Sequence, residues 1–151
     1  MEVRRFFGGE KKESARSQRE LARRDGLQDA VVRMMAAVAA ADGELDDSEI
    51  ARMAEIYREA TGSEVSPGAI RAGVRVALDG QRPVADTLAL AAAALEPGDK
   101  ADVIYAGIRV ALANGAFDDS ESSLLSKAAL AMNVDAAAFR QIVERARARA
   151  G

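Results

Sequence analysis

Six oxygen-bearing side chains, in two matching stretches, are the residues of this sequence best suited to chemistry: Asp42, Asp46 and Glu49 in ADGELDDSE, and Asn114, Asp118 and Glu121 in ANGAFDDSE. Carboxylate and amide oxygens are hard donors, and a hard divalent cation gathers about six to eight of them. Neither stretch supplies that number alone. Calcium is therefore the first expectation, with magnesium, manganese and zinc as alternatives, held between the two stretches. A rival reading needs no ion. Asp46-x-x-Glu49 and Asp118-x-x-Glu121 have the spacing of capping boxes, which place carboxylates at the positive end of a helix. Capping leaves Asp42 and its counterpart Asn114 unexplained, because they fall at the end of the preceding helix, where the dipole disfavours a carboxylate.

The two stretches belong to a longer repeat. VVRMMAAVAAADGELDDSE at 31–49 lies over VIYAGIRVALANGAFDDSE at 103–121, with Val31, Val38, Gly43 and Asp46 to Glu49 all matched. Each copy reads like the second half of an EF-hand loop: Gly43 or Gly115 for the turn, Leu45 or Phe117 turned inward, and a closing Glu49 or Glu121. The positions that should open such a loop hold Val38 and Ala40, or Val110 and Leu112, so neither loop is complete.

The composition removes much other chemistry. The 151 residues include no Cys and no His, which excludes thiol nucleophiles, imidazole-based triads and the usual zinc ligands. No phosphate-cradling glycine loop accompanies the acidic residues, so the expectation is a protein that is not an enzyme. Charge is uneven: residues 1–26 carry eight basic and five acidic residues, whereas 42–121 carry seven basic and sixteen acidic ones. A nucleic-acid partner would have to use the termini alone, and none is expected. Arg145, Arg147 and Arg149 read as a solvated helix face. The charged start lacks the apolar stretch of a secretory peptide, and no uncharged run approaches the ~20 residues that span a bilayer. A cytoplasmic protein that is not integral to a membrane is expected, peripheral at the inner membrane only through a partner. Val3, Phe6 and Phe7 in the basic lead offer a rival contact with anionic lipid, against the ordinary solvated terminus.

The elements that must position these residues are helices. An apolar content of 49% with only 4% aromatics predicts a core of Ala, Val, Leu, Ile and Met, including Met34 and Met35 as fillers and Ala36 to Ala41 and Ala91 to Ala94 as close-packing surfaces. Residues 1–24 read as a flexible basic segment, partly helical from about Ser14, and 25–151 as one helical domain. Spacing and punctuation predict helices over about 27–41, 47–60, 67–79, 83–95, 100–113, 119–132 and 135–149. Ile70, Val74 and Leu78 are the expected inner face of the third of these. The fold class is all-α, about seven helices in a compact bundle, with two pseudo-symmetric helix-loop-helix halves.

In the repeated motif, Ala41-Asp42-Gly43 with Leu45, Asp46 and Glu49, and Ala113-Asn114-Gly115 with Phe117, Asp118 and Glu121, the chain resembles the tellurite-resistance TerB family. The resemblance covers about residues 27 to 148. It implies an all-helical domain of two similar halves, acidic residues clustered as a metal site, and work in bacterial tellurite resistance and stress response. Implied partners are a TerC-type membrane protein and TerD-type proteins. The implied site is Asp42, Asp46 and Glu49 with Asp118 and Glu121; Asn114 stands where the family usually has Asp. The leading function is thus a metal-responsive interaction module, and its competitor is a metal-independent adaptor whose acidic face docks a basic protein patch.

Overall fold

A long first helix, α1 (Glu2–Asp42), is followed by α2 (Asp47–Thr61), α3 (Pro67–Asp79), α4 (Val84–Ala92), α5 (Pro97–Ala113), α6 (Asp119–Ala131) and α7 (Ala136–Ala150) in the computed structural model of the chain. The structure describes residues 2–42, 45–80, 83–113, 115 and 119–150, and the side chains of these apart from 2–14, 42, 119–121 and 150. Among the described residues there is no strand, as the composition led one to expect. The stop expected at Gly43 lies outside the described residues.

Two elements expected separately, the short basic helix from Ser14 and the stronger one from Leu27, form one continuous α1. The glycine between them does not break it. A Cβ at Gly26 would meet only Leu95 Cδ2, at 3.9 Å, and an interior glycine costs a helix only about 1 kcal/mol relative to alanine. From Ala15 to Asp25 every residue is exposed, whereas most residues from Ala30 to Ala39 are buried.

The core is the contact of α1 with α5, flanked by α3 on α1 and α7 on α5. Val31, Met34, Met35 and Val38 of α1 and Val103, Ile104 and Ile108 of α5 are fully buried in one cluster, to which Leu125 and Met132 of α6 and its C-terminal turn also belong. Buried alanines on α1, α5, α6 and α7 let these helices approach closely, which is how a chain poor in aromatics reaches native packing density. The surroundings of the two repeats differ in part: α2 packs on α5, α1 and α3, whereas α6 packs first on α4 and then on α5.

Local signals set most of the ends. Ser66 caps α3 by accepting the Ala69 N–H at 3.1 Å, with Pro67 in the first turn, where its missing N–H costs nothing. Gly62 closes α2 with φ 74°. Three expectations need correction. Leu78 is 58% exposed, because α3 turns Ile70 and Val74 inward and ends one turn later. Ala93 and Ala94 are exposed in a turn beyond the end of α4 rather than packed. And α5 starts at Pro97, a residue whose pairing with Gly98 reads as a stop; the Glu96 carbonyl accepts the Lys100 N–H at 3.0 Å, so Pro97 sits in the first turn.

Asn133 follows α6 in the left-handed region, φ 61°, while Val134 N–H donates to the Ala129 carbonyl at 2.8 Å and Asn133 N–H to that of Leu130 at 3.0 Å. This is a Schellman closure with asparagine in the place glycine usually takes. Asn133→Ala is expected to lower the unfolding free energy by about 1 kcal/mol in urea titration, and Asn133→Gly to leave it equal or raised.

Candidate functional site

The connection from α1 to α2 is built on Asp46. Its backbone is extended (φ −98°, ψ 174°), its carbonyl accepts the Ile50 N–H at 3.1 Å, and its Oδ1 accepts the Glu49 N–H at 2.8 Å. Ser48 Oγ donates to the same oxygen at 2.7 Å. The capping role read from the Asp-x-x-Glu spacing is therefore real for the first copy. The Ser48 hydroxyl first, and then the Glu49 N–H, hold the Asp46 carboxyl below the usual carboxylate range, and the charge of Arg52 adds to this. Asp46 is thus ionised at neutral pH. Leu45 packs against the core from the same loop, as an inward anchor should. Asp47 points outward and pairs with Arg71 of α3.

One contact brings the second copy to this end of the molecule. Arg52, on the first turns of α2, donates from Nη1 to the carbonyl of Ala113, the last residue of α5, at 3.1 Å. Leu45, Glu49 and Arg52 share a gap of about 10 Å³ with Val110 and Ala113. Gly115 then turns the chain with φ 88°, its N–H on the Leu112 carbonyl at 3.1 Å. The start of α2 and the end of α5 therefore lie side by side, each at the edge of an acidic loop.

Of the six sequence-derived site residues, the structure gives side chains for Asp46 and Glu49, both at this edge and both accessible. Asp42 closes α1 and Glu121 lies in the first turn of α6, but their side chains are outside the described residues, as are Asn114 and Asp118 altogether. Among the described residues no group of three or more His, Cys, Asp or Glu is placed to hold a metal ion. Two carboxylates are described there, then, four oxygens with one engaged in the cap, against the six to eight such an ion gathers.

Sequence reasoning missed the charged contacts that hold the far part of α2 to α5 and α7. Glu59 of α2 bridges Arg109 of α5, Oε2 to Nη1 at 2.6 Å, and Arg149 of α7, Oε1 to Nε at 2.8 Å. Arg109 also donates to the Tyr105 hydroxyl at 3.0 Å, and Arg145 lies over the Tyr105 ring, 4.3 Å from its centroid. Arg145 and Arg149 are thus engaged rather than merely solvated. The only signal in the sequence was their periodicity along α7, which shows a face but not what it faces. Among the described residues no helix is long and apolar enough to cross a membrane.

Fold and site together define a class: a small all-helical domain in which the start of α2 and the end of α5, each next to an acidic stretch of the sequence, lie side by side. The family model described as tellurite resistance protein TerB matches residues 13–145, and the chain belongs to that family. The match includes the exposed stretch of α1 as well as the buried one. No curated protein matches the chain, and no solved structure does.

Proposed function

We propose that this chain is a non-catalytic interaction module of the tellurite-resistance system that binds a divalent cation, calcium first, with Asp42, Asp46 and Glu49 of one loop and Asn114, Asp118 and Glu121 of the other. The observation that carries the reading is the hydrogen bond from Arg52 to the Ala113 carbonyl, which sets the two loop edges against each other. Incomplete half-loops gain sense in that setting, because each can supply the oxygens the other lacks. Ion binding would fix the relative position of α2 and the α5–α6 connection, and so change the surface offered to a TerC-type or TerD-type partner.

The Arg52 guanidinium occupies the same edge and competes electrostatically with a bound cation. Calorimetric titration of the full chain with calcium, magnesium, manganese and zinc tests the reading. Saturable binding is expected for at least one ion. Glu49→Gln and Glu121→Gln should each weaken it by about tenfold or more, since each removes a charged ligand. Arg52→Gln should tighten it. Absence of saturable heat with all four ions would overturn the cation reading in favour of a metal-independent adaptor using the acidic face.

A further inference from the structure

On the side of α1 turned toward α3, α4 and α6 lies an open cleft of about 460 Å³, well inside the range of about 300–1,000 Å³ in which small-molecule sites fall. Ala37 and Ala40 of α1 and Gly73 and Ala77 of α3 line it, with Val84 of α4 and Leu124 of α6. The cleft exists because these positions are small. A Cβ at Gly73 would fall 2.8 Å from Val32 Cγ1, so only glycine lets α3 lie this close to α1, and the alanines leave unfilled what larger side chains would occupy. Val76, also part of the lining, is 63% exposed and presents its methyl groups to whatever enters.

Among the described residues the lining holds a single charged side chain, Arg33, and no carboxylate. Arg33 Nε is paired with Asp29 Oδ2 at 2.7 Å, one turn back on α1, with the side chains 47% and 61% exposed. An exposed pair of this kind contributes little, and it engages one edge of the guanidinium. The other edge keeps the two parallel N–H groups that grip a carboxylate in bidentate fashion. Among the described residues the other polar side chain of the lining is Thr87, half-buried on α4.

An apolar trough with a half-engaged arginine at its rim is complementary to an aliphatic anion. We propose that this cleft binds a medium-chain aliphatic carboxylate, its tail along the trough between α1 and α3 and its carboxylate on Arg33. The proposal does not rest on cation binding by the acidic residues, none of which lines the cleft among the described residues.

Titration of the full chain with hexanoate, octanoate and decanoate, and with decanol as the uncharged counterpart, tests the assignment by calorimetry and by amide chemical shifts. Affinity should rise about fourfold for each methylene added, the factor expected for burying one methylene. Arg33→Gln should weaken decanoate about tenfold and leave decanol unchanged, since only the charge-assisted hydrogen bonds are lost. Ala77→Leu, in a chain that still melts cooperatively, should abolish binding by filling the trough. Should that variant fail to fold, the shift map of the wild type decides: perturbations centred on Ala37, Gly73, Ala77 and Leu124 support the site, and perturbations elsewhere overturn it. No saturable binding by any of the carboxylates, affinity independent of chain length, or undiminished affinity in folded Ala77→Leu would each overturn it as well.

Discussion

Gly107→Val is expected to lower the unfolding free energy by about 3 kcal/mol, because overpacking at a buried helix crossing costs roughly 1–3 kcal/mol and this crossing has no slack. A Cβ at Gly107 alone would stand 2.7 Å from Leu125 Cδ2 and 2.8 Å from Met34 Cγ. Both neighbours are fully buried and surrounded by core, so α5 must move away from α1 and α6 or force them off their rotamers. Gly107→Ala sets a milder version of the same test. It gains about 1 kcal/mol in helix propensity while still displacing the two side-chain atoms, so its loss should be clearly smaller than that of valine. Gly68→Ala, on α3 with nothing within 4 Å of the added carbon, should be neutral or stabilising. For a domain of this size the valine variant should melt roughly 6–12 °C lower. A loss as large for Gly68→Ala would show that general helix effects, not the close crossing, control stability.

The difference between what was readable in the sequence and what was not follows the range of the interactions. Gly62, Ser66-Pro67 and Asp46 with Glu49 announce helix ends because a cap is made by residues within four positions of one another. The inner faces of α1 and α2 were equally plain, since Met34, Met35, Ile50, Met53 and Tyr57 recur at helical spacing and all are buried. Pro97 misled for a local reason: the same residue ends one helix and starts the next, and only the hydrogen bonds of Glu96 show which it does. The contacts between distant parts of the chain were out of reach. Arg52 meets Ala113 across 61 positions, and Glu59 meets Arg109 and Arg149 across 50 and 90, with no local pattern marking any of the pairs. The repeat suggested that the two acidic loops act together; that the edges of the loops touch through an arginine was not contained in it.

Asp99→Asn and Asp102→Asn, three residues apart on α5, are expected to change stability in opposite directions at neutral pH. Asp99 is 4% exposed and fully engaged: Arg23 Nε donates to its Oδ2 at 2.7 Å, Arg23 Nη2 to its Oδ1 at 3.1 Å, and the Glu96 N–H to Oδ2 at 3.1 Å. The hydrogen bonds from Arg23 hold its carboxyl below the usual range in spite of burial, with the Glu96 N–H and the arginine's charge helping. Asparagine replaces one acceptor oxygen by a donor facing these donors, so a loss of about 1–3 kcal/mol is expected. The exposed part of α1 should lose amide protection around Arg23 at the same time, because this pair ties it to α5. Asp102 has the reverse environment. Burial first, and the charge of Asp99 after it, push its carboxyl up, with Arg145 only partly offsetting them. Its ionised form is therefore less favourable folded than unfolded, and asparagine should raise stability at pH 7. The pH dependence separates the two further. The contribution of Asp99 is present above the unfolded carboxylate pKa of about 3.9 and is lost as pH falls through its lower folded value. The penalty from Asp102 develops as pH rises from the unfolded value through its higher folded one, and it is gone in acid. Urea titrations at pH 7, 5 and 3.5 should thus show both variants drawing toward the wild type at the lowest pH, one from below and one from above. Equal and same-signed changes at pH 7 would mean that the arginine from α1 does not distinguish the two carboxylates.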